Sequence, residues 1–170
     1  MLALRDLPRV EVLEAESRVF SSLDPTTVLA FLSVMIVAAD VERNVEPHFA
    51  RYGLSQGRFI VLLALRRRPE HTATPADLAD HAAVTRATMT GLLDGLEKDG
   101  LVERSHRKDD RRSLDVRLTK KGLTLIERIL PDHYERIGEL MSKLNKAEKK
   151  QLVALLGKMR EGVAEKAPGG

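Results

Sequence analysis

Between Thr74 and Thr119 the chain carries two short helix signals back to back, followed by two strand signals. No other stretch limits the fold so tightly. Thr74 reads as an N-cap, with Pro75 at the first helical position and Asp77 where a capping acid belongs. That helix stops near His81. After Ala82-Ala83-Val84, Thr85 can cap a second helix, in which Met89, Leu92, Leu93 and Leu96 recur at helical spacing. Gly100 ends it, after Lys98 in the last turn. Two helices separated by so few residues form a helix-turn-helix candidate.

At about 100° per residue, Ala87, Gly91, Asp94 and Lys98 lie opposite the apolar stripe of the second helix. Thr88, Thr90 and Gly95 flank them, and Arg86 stands near the N-terminal tip. Small and hydroxylated residues with Arg at the tip suit a helix whose N-terminal half enters a major groove. An ordinary solvated surface is the plainer alternative. The segment after the helix shifts the balance. Val102 to Arg107 and Ser113 to Leu118 read as strands, the second with Leu114, Val116 and Leu118 on one face and Asp115 and Arg117 on the other. The turn between them, Arg107-Lys108-Asp109-Asp110-Arg111-Arg112, is dense in positive charge. A charge run alone is usually a solvated loop. Placed directly after such a helix, it reads as a wing set against phosphates and the minor groove. The expected fold is mainly α with a small β-hairpin wing: a winged helix-turn-helix joined to a helical dimerisation base. The residues expected at DNA are Thr85, Arg86, Ala87, Thr88, Thr90 and Gly91 on the helix, and Arg107, Lys108, Asp110, Arg111 and Arg112 on the wing.

The run GLLDGLEKDGLVERSHRKDDRRSLDVRLTKKG resembles the MarR family of bacterial transcription regulators. The matching elements are a Leu-Glu-Lys-x-Gly-Leu-Val helix end and first strand, an Asp-x-Arg wing tip at Asp110 and Arg112, and Leu118, Thr119 and Gly122 opening the next helix. Upstream, ARYGLSQGRFIVLLAL resembles the family's entry into the helix before the motif. The resemblance implies a homodimeric, sequence-specific regulator of transcription, most often a repressor, acting on a pseudo-palindromic operator in double-stranded DNA. It also implies a small anionic or aromatic effector in a crevice between dimer base and winged motif, for which His48, Tyr52 and Arg58 are the polar candidates. The competing readings are a helical interaction protein whose motif no longer reads DNA, and an architectural protein that binds duplex without preference. Two glycines depart from the family's pattern. Gly91 and Gly95 stand where relatives carry basic or larger polar residues, each costing a helix about 1 kcal/mol relative to Ala, and they point to missing DNA contacts or close backbone approach. Asp94 on the same face would repel phosphate, and Lys98 at i+4 is its expected partner.

The rest of the chain divides around this motif: 1–23 an N-terminal extension, 24–52 a dimerisation helix, 53–118 the winged motif, 119–162 C-terminal dimerisation helices, 163–170 a tail. In the extension, Pro8 starts a short helix in which Val12, Leu13 and Val19 or Phe20 seek partners, and no uninterrupted apolar region of a signal peptide occurs. Asp24-Pro25 opens a helix toward Val45, and from Val28 to Ala39 only Ser33 interrupts the apolar residues. That run is shorter than the roughly 20 residues a bilayer span needs, so no membrane partner is expected. A helix apolar on all sides must be buried on all sides. Burial against a second subunit answers this, with an intrachain core as the alternative. Pro47 is expected to break or kink the helix and leave His48 to Tyr52 as a last turn. Ser55 caps Gln56 to Arg67, whose Phe59, Ile60, Leu62, Leu63 and Leu65 would pack beneath the motif, and Arg66, Arg67 and Arg68 suit a helix C-terminus. From Thr119 a long helix is expected to kink at Pro131, and Asn145 with Glu148 to cap a last one.

Charge and composition exclude more than they assign. The net charge of +3 is compatible with nucleic acid but decides nothing. With no Cys there are no disulfides, thiolate metal sites or cysteine redox sensor, and a cytoplasmic setting is expected. With no Trp and only 4% aromatic residues, base stacking on single strands is not expected. The five His residues are scattered, and Asp132, His133 and Glu135 read as charged helix surface. No nucleophile with a base, phosphate-binding glycine loop or carboxylate pair is found. Neither an enzyme, a metal site nor a cofactor is expected.

Overall fold

A computed structural model describes residues 6–106 and 114–166. Its elements run α1 (Val10–Ser17), α2 (Pro25–Ala50), α3 (Gln56–Arg66), a short 3-10 turn (Pro69–His71), β1 (Thr72–Ala73), α4 (Pro75–Ala82), α5 (Arg86–Lys98), β2 (Val102–His106), β3 (Leu114–Leu118), α6 (Lys120–Leu140) and α7 (Lys146–Lys166). The chain is mostly helical with one small antiparallel sheet, strand order β1-β3-β2. It divides into two units, one ending at Leu123 and the other beginning at Thr124.

In the first unit, α3 forms the floor. Phe59, Val61, Leu62, Ala64 and Leu65 are buried, joined by Leu78 and Ala79 of α4, Met89, Leu93 and Leu96 of α5, and Val102, Val116 and Leu118 of the sheet. α2 and α3 begin on local side-chain caps. Asp24 accepts from the Thr27 amide at 2.8 Å and the Thr26 amide at 3.3 Å. The Thr27 hydroxyl bonds it too and, as the largest cause, lowers its carboxyl below the ordinary value. Ser55 Oγ accepts from the Arg58 amide at the start of α3.

Neither proline ends its helix. α2 continues through Pro47 to Ala50 instead of breaking there, and α6 continues through Pro131 to Leu140. Pro47 removes one amide donor, but the next turn is fixed by packing. His48 and Phe49 are buried, and Phe49 stacks on Phe59 with ring centroids 4.1 Å apart. Glu46 beside it also reaches across to accept from the Gln56 amide at 3.2 Å, serving a donor that the start of α3 would otherwise leave unpaired.

In the extension, α1 buries Leu13 while Val12, Val19 and Phe20 stay exposed, so only one of the expected apolar partners is found. The apolar run in α2 is the larger departure. With its flanks it belongs to a helix of 26 residues whose most apolar 18-residue stretch has a mean hydropathy of 1.6, long and apolar enough by those measures to cross a membrane. None of that stretch is buried: Phe31 is 52% exposed and Val37 58%.

In the second unit, Ile126, Ile129 and Leu130 of α6 are buried. The start of α7 is held by a reciprocal cap: Asn145 Oδ1 accepts from the Ala147 and Glu148 amides, and the Glu148 carboxylate accepts from the Asn145 amide at 2.7 Å. No α7 residue is buried, and Val153, Leu155, Leu156 and Val163 are exposed.

Candidate nucleic-acid interface

The turn between α4 and α5 sets the interface. Thr74 Oγ1 accepts from the Asp77 amide at 3.1 Å and starts α4. Ala83 ends it in the left-handed region at φ 51°, where L residues are uncommon. The Val84 amide then donates back to the Ala79 carbonyl at 3.1 Å, closing a C-terminal cap of the kind usually built on glycine. That reversal delivers Thr85, whose Oγ1 accepts from the Thr88 amide at 3.1 Å and starts α5.

α5 has two unlike faces. Met89, Leu93 and Leu96 are buried, while Thr85, Arg86, Ala87, Thr88, Thr90 and Gly91 are all exposed on its N-terminal half. The hydroxyls are partly ordered in advance: Thr85 and Thr88 Oγ1 lie 2.9 Å apart, and Thr90 Oγ1 donates to the Arg86 carbonyl at 3.0 Å. Leu92 packs close to Gly57 of α3, where a Cβ would stand 3.2 Å from a Leu92 methyl.

The acids of α5 find partners that local spacing does not suggest. Asp94 pairs with Arg104 of β2 at 2.6 Å rather than with Lys98 one turn away. The same guanidinium reaches Glu97 at 3.2 Å and donates to the Thr90 carbonyl at 3.4 Å, while the Glu97 carboxylate accepts from the Arg104 amide. One planar fork spans three acceptors, which an ammonium on a flexible stem does not reproduce. Its effect is to tie the first wing strand to the exposed helix and offset a carboxylate beside the face that would meet phosphate.

The two glycines differ sharply. A Cβ at Gly91 would meet nothing within 4 Å, so this position is open. Gly95 is not open: Arg58 lies across it, and a Cβ there would fall 1.8 Å from the guanidinium. Gly95 is the bed for an arginine, which continues to Asp99 at 2.9 Å.

The wing strands pair in antiparallel register from Val102↔Leu118 to His106↔Leu114. Val116 and Leu118 are buried as the alternation implies, but Leu114 is exposed. Arg107, Lys108, Asp110, Arg111 and Arg112, expected at the tip, lie outside the described residues. Nothing in the sequence pattern announces β1. Its two residues pair with β3, Thr72↔Arg117 and Ala73↔Val116, and Thr72 Oγ1 accepts from Arg117 Nε at 3.3 Å. Two residues are too few to display alternation.

Of the effector candidates, His48 and Tyr52 come together, their rings edge to face at 5.8 Å, and His48 Nδ1 lies 2.9 Å from Arg51. Arg58 instead has its guanidinium on Asp99.

A short helix laid with its polar face outward on α3 and α4, followed by a hairpin tied to it by Arg104, defines a winged helix-turn-helix DNA-binding protein. Relatives narrow this further. Residues 54–114 match the MarR family. The chain is 34% identical over 160 residues to the HTH-type transcriptional repressor YetL of Bacillus subtilis, covering 94% of this chain and 96% of that one. Among solved structures, a mutant MarR from E. coli complexed with operator DNA aligns with a TM-score of 0.68 and 26% identity, over 74% of this chain and 89% of that one. BpsR of Bordetella bronchiseptica, solved to explain regulation of its DNA binding by 6-hydroxynicotinic acid, aligns with a TM-score of 0.59 and 30% identity, over 73% of this chain and 98% of that one. The chain belongs to the MarR family. It is a DNA-binding transcriptional regulator and not an enzyme.

Proposed function

We propose that the chain acts as a cytoplasmic homodimer that represses transcription from a pseudo-palindromic operator and changes its DNA affinity on binding a small anionic or aromatic effector. The observation that carries this reading is the two-faced α5, buried through Met89, Leu93 and Leu96 and exposed through Arg86, Thr88 and Thr90. Thr85, Ala87 and Gly91 complete the reading face, and Arg107, Lys108, Asp110, Arg111 and Arg112 form the wing contact. The planar, permanently charged group of Arg112 suits a narrow, negative minor groove.

Dimerisation answers the exposed apolar surface of α2. Contiguous apolar surface of this extent marks an interaction site, and a DNA-reading regulator has a use for a second copy that a membrane span does not supply. Repression is the activity named for YetL. Effector control is the property named for BpsR, and here the paired rings of His48 and Tyr52 are the candidate contacts. Arg58 joins them only by exchanging the Asp99 carboxylate for that of an anionic effector.

The test is selection from a pool of random duplexes by the purified protein, with sedimentation on the same sample. Expected is a dimer that retains inverted half-sites about one helical turn, roughly 34–36 Å, apart. Retention of all duplexes alike would make the protein architectural. Retention of none would leave a helical interaction protein.

A further inference from the structure

Arg58 stands in the first turn of α3, and its side chain crosses to the far end of α5. There the guanidinium lies against the bare backbone of Gly95: a Cβ would fall 1.8 Å from Nη2, 2.7 Å from Cζ and 3.0 Å from Nε. Three guanidinium atoms that close describe a group lying on the helix, with space that only glycine leaves. From this bed Nη1 reaches Asp99 Oδ2 at 2.9 Å. Asp99 is the C-cap of α5, and its backbone carbonyl accepts from Lys121 Nζ at 2.7 Å. The next carbonyl, of Gly100, accepts from Thr119 Oγ1 at 2.8 Å. Leu101 offers its own carbonyl to the Thr119 amide at 3.1 Å, and a Cβ at Gly122 would fall 2.1 Å from that oxygen. The last turn of the reading helix is thus gripped on one side by α3 and on the other by the start of α6.

We propose that Arg58, bedded on Gly95 and ion-paired to Asp99, is a positioning residue that sets the angle at which α5 presents its N-terminal half to DNA. The apolar contacts of Met89, Leu93 and Leu96 hold the helix down, but such contacts are non-directional and fix its orientation weakly. A charge-assisted hydrogen bond is directional. α5 has 13 residues, roughly 20 Å at about 1.5 Å per residue, so a tilt about its gripped end displaces Arg86 and Thr88 most. In a dimer such a tilt changes the distance between two reading heads, and spacing of half-sites is what the duplex registers.

A direct phosphate contact by Arg58 predicts the opposite sign in one variant, which makes the inference testable. It rests on the DNA-reading function proposed above. The measurements are melting temperature, sedimentation, salt slope, and affinity for the selected operator and for versions with half-sites moved one base pair closer or further apart. Expected for Arg58→Ala, Gly95→Ala and Asp99→Ala is a dimer with retained melting, an unchanged salt slope, operator binding weakened roughly five- to tenfold, and reduced discrimination between spacings. Gly95→Ala in the Arg58→Ala background should add nothing, because its effect is to evict Arg58. Asp99→Glu should restore part of the discrimination.

Tighter binding by Asp99→Ala, or a shallower salt slope in Arg58→Ala, would overturn the inference by making Arg58 a phosphate contact. Additive losses in the double variant would overturn it by placing DNA on Gly95 itself. Unchanged discrimination in all variants would reduce the pair to a surface ion pair. Those results, with a wild-type protein that selects an operator, reject this inference alone. A wild type that selects none rejects the DNA reading together with it.

Discussion

α5 and α2 are both rich in apolar side chains, and the chain treats them oppositely. α5 buries Met89, Leu93 and Leu96 within its own unit and leaves the N-terminal half of its polar face, Arg86 to Gly91, exposed. α2 buries His48 and Phe49 at its end and nothing along its most apolar stretch. A helix completed by its own chain is free to present a surface to a ligand. A helix left incomplete requires another surface before it is stable in water. Under the proposed function, reading DNA falls to α5 and assembly to α2, and the two are expected to be separable by mutation.

The most severe way to break this comparison is Val37→Asp. In a subunit interface the new carboxylate is unpaired and desolvated, which costs several kcal/mol. Sedimentation should show a monomer, and operator binding should be lost while the α3–α5 core still melts cooperatively. A variant that remains dimeric would show that this part of α2 faces no partner.

Leu93→Ala attacks the other side. Removing a fully buried leucine beneath α5 should cost about 2–5 kcal/mol, seen as a lower urea midpoint, with subunit association retained until unfolding begins. A loss well under about 1 kcal/mol would mean that α5 is not anchored through this face.

Arg112→Ala and Arg86→Ala sharpen the comparison within the reading half, each with no change in assembly. Arg86→Ala should cost about 1–3 kcal/mol concentrated at particular bases. Arg112→Ala should weaken every duplex and reduce the salt slope by about 1. If Arg86→Ala weakens all sequences equally, Arg86 touches phosphate and reads nothing.

The smallest effect belongs to Asn145→Ala, which removes an N-cap of α7 worth about 1 kcal/mol. Thermal melting should register it. Operator affinity measured well below the melting range should not.

Local features were legible in the sequence because their physics is local. The caps at Asp24, Ser55, Thr74, Thr85 and Asn145 join a side chain to an amide two or three residues on, and all five form. The buried stripe of α5 is set by its spacing for the same reason. What could not be read depends on partners far along the chain. Arg58 and Asp99 are 41 residues apart, and Arg117 is 45 from Thr72. The i+4 rule nominated Lys98 for Asp94, but β2 brings Arg104 nearer, and only the folded hairpin reveals that. Pro47 carries a strong local signal for ending a helix, and packing of the next turn carries α2 past it.

Gly91 has one more consequence. On the exposed face of α5, a Cβ at this position would meet nothing within 4 Å, and its φ is not one that favours glycine. Alanine therefore fits here without a clash and removes a helix-weakening residue worth about 1 kcal/mol. On the proposed reading of DNA by α5, position 91 is a blank in the protein's vocabulary: a substitution there is expected to shift sequence preference without first loosening the fold.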